Sequence, residues 1–410
     1  MVKQYDYLIL GGGIAGVTAA ETIRENDPHS SVAIVSGEEH PLYSRVLLPA
    51  YLKKRIPRDK LFLRRIDDFS KKEINLYLAD EAAWLDTKRK EVGLTSSNVL
   101  GFHKLLISTG GKVKPWEIGI KDEHIYRLQT LDDADRLFGV LDDFRQPLVV
   151  GASFISLEFL EIFTLNKISP ILLVRDAYFF SKIFDPHGGE LMRANFEKSG
   201  ITMQFSDTAK EATVREGIIR VETDALREIK CDAIALGIGL QRNVGFLEGS
   251  GLELGGKGVR TNEFLETSVE GVFAAGDVAE FYDVISSKYR LIGNWTNAFL
   301  QGKRVGLNML GQREPFRNVS AYSITNLGWQ LTALGDFEEP DETVVRLDEK
   351  RHQYERFFLR NGVMVGVSLI NRFQDKPHLA KLIETKAPIA SYRDELKDFR
   401  FDIHTIPVVF

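Results

Sequence analysis

The chain has 410 residues, 44% hydrophobic and 27% charged, with a formal net charge of −5. At about 150 residues per domain this is two to three globular domains, large enough to bury a full core without cross-links and too acidic for a general nucleic-acid binder. The single cysteine, Cys231, excludes an internal disulfide, a dithiol pair and a cysteine-ligated metal, the eight histidines show no paired ligand spacing, and no apolar run reaches the ~18 residues of a membrane span.

The opening MVKQYDYLILGGG enters a strand at once, which predicts no signal peptide and a cytoplasmic location. Tyr7-Leu8-Ile9-Leu10 reads as a buried parallel strand, Gly11 to Gly16 as a tight turn into a helix that runs through Glu25, and Val32-Ala33-Ile34-Val35 as a second strand. The stretch from Lys53 to Lys72 then carries nine basic and three acidic residues, a local charge of +6. It reads either as a solvated helical face or as a dock for an acidic partner. Lys104 to Gly111 is a short apolar strand that ends in glycine. The β-α-β rhythm returns about 140 residues after the first, with a strand at Pro147 to Val150, a turn at Gly151, a helix from about Ile155 and a strand at Ile171 to Val174. Asp185-Pro186-His187 reads as a turn, and Cys231 to Gly237 and Gly271 to Asp277 as further strands that end at glycine. After Gly311 the texture changes to alternating strands with an Asn361-Gly362 hairpin turn. The predicted class is α/β, with two Rossmann-like dinucleotide-binding domains and a C-terminal α+β domain.

Gly11-x-Gly13-x-x-Gly16 stands where a dinucleotide fingerprint requires it, directly after a strand and at a helix start. The first glycine permits the tight turn, the second lets backbone N–H groups approach a pyrophosphate, and the third lets helix and strand pack closely. Ile14 and Ala15 begin the helix whose N-terminus attracts the phosphates. Glu38, at the end of the second strand, stands where an acid accepts from a ribose hydroxyl, with Glu39 as the alternative. The second candidate site, Gly151-Ala152-Ser153-Phe154-Ile155-Ser156, keeps the first glycine alone. Ser153 is small enough for a phosphate to approach, whereas Ser156 adds a side chain where helix and strand should touch. Its second strand ends in Val174-Arg175-Asp176, with a base where a ribose-binding acid would favour NAD; Arg175 would instead pair a 2′-phosphate and favour NADP.

The order GGGIAG, SGEEHPLYSRVLLP, ISTGG, VGASFISLE and TSVEGVFAAGDVAE resembles the two-dinucleotide flavoprotein reductases, the FAD-dependent pyridine-nucleotide oxidoreductases, from Tyr5 to about residue 390. Within that superfamily the chain is similar to the NADH:rubredoxin and ferredoxin reductases and to the N-terminal part of the NAD(P)H nitrite reductase large subunit. Disulfide- and peroxide-directed members carry a redox cysteine near Tyr43 to Pro49; here there is none, which excludes their chemistry. The resemblance implies a discontinuous FAD domain at 1–115 and 236–312, an NAD(P) domain at 116–235 and a C-terminal domain at 313–410. It implies that Gly11, Gly13, Gly16 and Glu38 hold the ADP half of FAD, that Arg45 reaches its pyrophosphate, and that Thr109-Gly110 lines the strand behind it. Gly276-Asp277 would hold the ribityl chain, and Glu158 would be the acid near the nicotinamide and flavin rings. Some members pair that acid with a lysine just after the Leu-Leu segment. Pro49-Ala50 stands there in this chain, and Lys53 and Lys54 come too late in sequence to be assigned.

The expected cofactors are FAD with NADH or NADPH, and the expected function is electron transfer from a nicotinamide to a small acidic redox protein such as rubredoxin or ferredoxin. The rivals are an NAD(P)H oxidase that uses oxygen, and a flavin-binding electron-transfer subunit whose nicotinamide site is weakened. The C-terminal module would either mediate a homodimer or cover one lobe. No metal, nucleic acid or membrane is expected.

Overall fold

The computed structural model describes residues 2–408. The chain divides into two compact units, one of Met1–Val46, Pro57–Lys112 and Leu240–Ser320, the other of Leu47–Ile56, Val113–Gly239 and Ala321–Phe410. The short Leu47–Ile56 segment thus groups with the second unit although its sequence neighbours on both sides belong to the first.

The first unit is built on a seven-stranded sheet in the order Ile74–Tyr77, Val32–Val35, Lys3–Leu10, Val99–Ile107, Glu91–Leu94 and Ala82–Asp86, with Val272–Ala274 also paired to Val99–Ile107. Its central strands run parallel, and their apolar runs are buried on both faces because side chains cover each face. The register decides where chemistry can happen. Leu10 pairs with Val35 and with Ile107, and Ile107 pairs with Ala274, so four strands end level at one edge. The residues that follow them, Gly11, Ser36 to Glu38, Ser108 to Gly110 and Ala275 to Asp277, all leave from that edge, where open α/β sheets bind ligands. The Ile14–Asn26 helix covers one face beside the Trp295–Met309 helix. Close crossing of the two depends on Gly302, where an added Cβ would lie 2.4 Å from the Ala15 carbonyl oxygen.

The second unit repeats the plan with a five-stranded sheet in the order Thr202–Phe205, Ile171–Val174, Leu148–Val150, Ile234–Leu236, Ile125–Tyr126. Val150 pairs with Leu173 and with Leu236, so Gly151, Arg175 and Gly237 leave from a common edge. The Phe154–Leu165 helix is apolar nearly all round and is correspondingly buried. His187, read as a turn residue, lies in the first turn of the Pro186–Lys198 helix, which Asp185 caps by accepting from the Gly188 N–H at 3.0 Å. The C-terminal stretch forms an antiparallel five-stranded sheet in the order Ala321–Asn326, Trp329–Gly335, Val363–Ile370, Gln353–Arg360, Glu342–Asp348. Its Asn361-Gly362 turn has φ of 51° and 73°, as the hairpin signal predicts. The α/β class with a C-terminal α+β part is therefore the observed one.

Candidate functional site

In the first unit Gly11 has φ +119°, and a Cβ there would lie 2.2 Å from the Ser108 carbonyl oxygen, so no other residue fits the turn. At Gly16 a Cβ would lie 2.1 Å from the Gly11 carbonyl oxygen and 2.6 Å from Ser108 Oγ; this is the close approach of helix and strand. Gly13 differs in kind: nothing lies within 4 Å of its absent Cβ. It is also the N-cap of the helix, and brings no side-chain oxygen to the first turn. The helix start is open to solvent and uncapped, which is the condition for a phosphate to approach. Ile14 is half-buried and Ala15 buried in the first turn.

Glu38 is ordered from both sides. One carboxylate oxygen accepts from the Tyr43 hydroxyl at 2.6 Å and the other from Arg45 Nη2. Arg45 also lies over the Tyr43 ring, 5.5 Å from its centroid. Glu39 is exposed. Thr109 and Asn243 form a reciprocal clasp: Thr109 Oγ1 donates to the Asn243 carbonyl at 2.9 Å, and Asn243 Nδ2 donates to the Thr109 carbonyl at 3.0 Å. Gly110 has φ +62° and open space beside it.

Asp277 follows Gly276, whose φ is +78°. Burial pushes its carboxyl above the ordinary carboxylate range, against the opposing pull of Arg242 and Arg45. Arg242 is in turn pushed down by burial and held up by Asp277. Gln301 Oε1 accepts the Gly276 N–H at 2.7 Å. Gln301 Nε2 and Arg242 Nη1 are buried with no hydrogen-bond partner. Buried donors without partners are costly, so the surroundings of Asp277 suit a polar ligand. The uncapped helix start and the open cradle at Gly13 fit a dinucleotide pyrophosphate. Sequence reading missed Arg242, Asn243 and Gln301, which carry no motif and reach this edge through tertiary structure. Trp295 is partly buried against the core of this unit.

In the second unit Gly151 has φ +106°, and a Cβ there would lie 2.5 Å from the Gly237 carbonyl oxygen. Ser153 is the N-cap of the Phe154–Leu165 helix. Its Oγ accepts from the Ser156 N–H at 3.2 Å and lies 3.2 Å from Ser156 Oγ. Ser156 is accommodated because the facing strand end is glycine: a Cβ on Gly237 would lie 2.0 Å from Ser156 Oγ. Phe154 stacks on Tyr322 at 3.8 Å between centroids, and Ile155 is half-buried. Arg175 is exposed at the strand end and reaches Asp176 at 3.3 Å.

Glu158 has the lysine partner that its sequence left unassigned. Lys53 Nζ is 2.5 Å from Glu158 Oε2 and also contacts Glu161 Oε2. A short helix, Leu48–Leu52, precedes Lys53 and, with the rest of Leu47–Ile56, groups with this unit; linear spacing from Pro49 gave no hint of it. Burial pushes the Glu158 carboxyl up, Lys53 and Arg55 pull it down, and Glu161 adds to the rise. The basic run is correspondingly reduced. Lys53 is buried in that cluster, Lys54 pairs with Asp142, and Arg64 and Lys72 both bind Glu21. Arg58, Lys60, Arg65 and Lys71 stay exposed among Asp59, Asp67 and Asp68. Salt bridges absorb most of the +6 expected of a docking face.

Cys231 is buried, and burial pushes its thiol up to about 12, so it is not a reactive thiolate. Among the described residues no helix is long and apolar enough to cross a membrane, and no cluster of potential metal ligands is found.

The family model described as pyridine nucleotide-disulphide oxidoreductase matches residues 5–302, and the rubredoxin NAD+ reductase C-terminal domain matches 323–387. Apoptosis-inducing factor 3 of Mus musculus is 26% identical over 384 residues, covering 93% of this chain and 62% of its own length. The chain thus spans less than two thirds of that relative. The 5,5'-dehydrodivanillate O-demethylase ferredoxin reductase subunit of Sphingobium sp. (strain NBRC 103272 / SYK-6) is 26% identical over 383 residues, covering 91% of this chain and 92% of its own. In fold the chain is similar to the reductase in a covalent putidaredoxin reductase-putidaredoxin complex, with a TM-score of 0.90 at 20% identity, over 97% of this chain and 96% of that one. The open glycine cradle, the aspartate at the level strand edge and the matched length agree: this chain belongs to the pyridine nucleotide-disulphide oxidoreductase family.

Proposed function

We propose that the chain passes electrons from NADH or NADPH through FAD to a small redox protein of the rubredoxin or ferredoxin kind. The observation that carries this reading is the pair of buried, unpartnered donors, Gln301 Nε2 and Arg242 Nη1, beside the Gly276-Asp277 turn. A polar chain lying along that edge satisfies them, and Asp277 accepts from its hydroxyls. Gly11, Gly13 and Gly16 admit the pyrophosphate, Glu38 accepts from the ribose, Arg45 lies beside both, and Thr109-Gly110 backs the site. Bound FAD supplies the conversion between two-electron chemistry at a nicotinamide and one-electron chemistry at a carrier. In the second unit Gly151, Ser153, Phe154 and Ile155 form the nucleotide turn, Arg175 faces the ribose end, and Glu158 with Lys53 is the ionisable pair. The relative named as a ferredoxin reductase subunit supports a small redox partner. Its acidic character rests on Arg58 and Arg65, which line a groove of about 530 Å³ that also exposes Ile66.

One observation favours a second reading. The Ser153 and Ser156 hydroxyls satisfy the helix start from within, and this weakens its demand for a phosphate, as a flavin-binding electron-transfer subunit would tolerate. Steady-state turnover with NADH or NADPH in air, with and without an added rubredoxin or ferredoxin, separates the readings. A reductase reduces the carrier many times faster than it consumes oxygen. Oxygen consumption that equals or exceeds carrier reduction makes the chain an oxidase, and no turnover with either nucleotide leaves the subunit reading.

A further inference from the structure

The Lys53 cluster holds two carboxylates for one ammonium. The three side chains are 5%, 16% and 8% exposed for Lys53, Glu158 and Glu161. Two buried like charges beside one counter-charge do not both stay ionised at little cost. The surroundings decide which one yields. Glu161 Oε1 accepts the Leu327 N–H at 3.0 Å, and its Oε2 faces Asn326 Nδ2 at 3.4 Å. Leu327 and Gly328 have φ of 49° and 78° and form the tip of the hairpin between Ala321–Asn326 and Trp329–Gly335. The Leu327 carbonyl accepts in turn from Asn195 Nδ2 at 3.4 Å, so the tip is fixed on both sides of one residue. Donors to a carboxylate favour its charged form. Glu158 is bonded to Lys53 and has no such backbone donor among its described contacts.

We propose that Glu161 is a positioning residue: bonded to the Asn326-Leu327 hairpin tip, it fixes Lys53 and makes Glu158 the member of the cluster that takes up and releases a proton. Gaining one proton from solvent, Glu158 passes from carboxylate to carboxylic acid and the cluster from a net charge of −1 to zero. Lys53 and Arg55 oppose this uptake, and burial with Glu161 promotes it. The inference rests on the reading of Glu158 as the functional acid, and extends it to a second acid and to the C-terminal sheet that no motif singled out.

The test is a ¹³C NMR titration of the holoprotein labelled at glutamate carboxyl carbons, with the Glu158 signal assigned by its loss in Glu158→Gln. In the wild type its midpoint lies above the ordinary carboxylate range. In Glu161→Gln, which still offers an acceptor to the Leu327 N–H, the midpoint falls by about one unit, a tenfold loss of proton affinity, because the like charge is gone. Asn326→Ala, a milder change that leaves the Leu327 N–H contact in place, lowers the Glu158 midpoint by less than Glu161→Gln does. An unchanged Glu158 midpoint in folded Glu161→Gln overturns the proposal, as does a wild-type midpoint in the ordinary range. The pH profile of anaerobic flavin reduction, measured on the same samples, shifts in parallel if Glu158 acts in the reaction. If the NMR midpoints move while that profile does not, the reading of Glu158 as the functional acid fails and the positioning role of Glu161 stands.

Discussion

The two β-α-β turns solve one packing problem with the small residue on opposite sides. In the first, glycine sits on the helix at Gly16 and serine on the facing strand end at Ser108, whose Oγ would lie 2.6 Å from a Cβ on the helix. In the second, serine sits on the helix at Ser156 and glycine on the strand end at Gly237, where a Cβ would lie 2.0 Å from Ser156 Oγ. In the second turn the strand residue lacks the side chain; in the first it is the helix residue, where the Gly11 carbonyl oxygen, 2.1 Å from an added Cβ, also demands it. In the second turn the third fingerprint position is thus half of a pair, and Ser156 fits because Gly237 faces it. The second position tells a different story. Gly13 leaves its helix start uncapped, whereas Ser153 caps its own. The first helix start has no side-chain cap, and the second is capped by its own serine.

The largest effect is expected where backbone meets backbone. Gly16→Ser places a Cβ 2.1 Å from the Gly11 carbonyl oxygen, which no side-chain change relieves. The variant should purify with less than about a tenth of the wild-type flavin, and adding Ser108→Gly should recover little; overpacking of this kind costs about 1–3 kcal/mol or more. Flavin absorbance per protein measures it, and near-normal FAD content would break the comparison. A smaller and partly reversible effect is expected in the second turn, where the nearest obstacles are the Ser156 and Ser153 side chains. Gly237→Ala should destabilise the protein by roughly 1–3 kcal/mol, and Ser156→Gly in the same chain should restore about half or more of it. Thermal unfolding of the four proteins in the cycle gives the coupling, and strict additivity would mean that the two positions do not share one contact.

The contrast between these sites also shows what was legible in the sequence. The strand, the glycine triplet, Glu38 and the Gly276-Asp277 turn are local patterns, and their parallel registers deliver them to one edge. Gly237 was visible as a residue and invisible as a partner, because the 80 residues between it and Ser156 return to the same place through six intervening strands and a helix. Lys53 was lost for the same reason: it meets Glu158 across 105 residues, inside a segment that groups with the second unit. How much of the charge run stays unpaired was not legible, because sequence shows neither Glu21 nor Asp142 taking up three of its cations. Pairing of this kind belongs to tertiary structure, and composition cannot report it.

The smallest effect concerns the nucleotide's ribose end. Arg175 is exposed and bonded to Asp176 at 3.3 Å, so Arg175→Glu should leave stability unchanged. It should raise KM for NADPH about tenfold while changing that for NADH less than threefold, since a 2′-phosphate then meets an anion in place of a guanidinium. Equal changes for both nucleotides would place Arg175 outside the site.

We propose that the serine-capped turn is a working nucleotide site, with Gly237 on the facing strand making the room that a helix glycine would. Anaerobic titration of the purified yellow protein with NADH and, separately, NADPH tests this most directly. Loss of the oxidised-flavin band, complete within about one equivalent of at least one nucleotide, is the predicted result. A spectrum unchanged by either nucleotide would contradict the account and leave the second turn as a fold without its ligand.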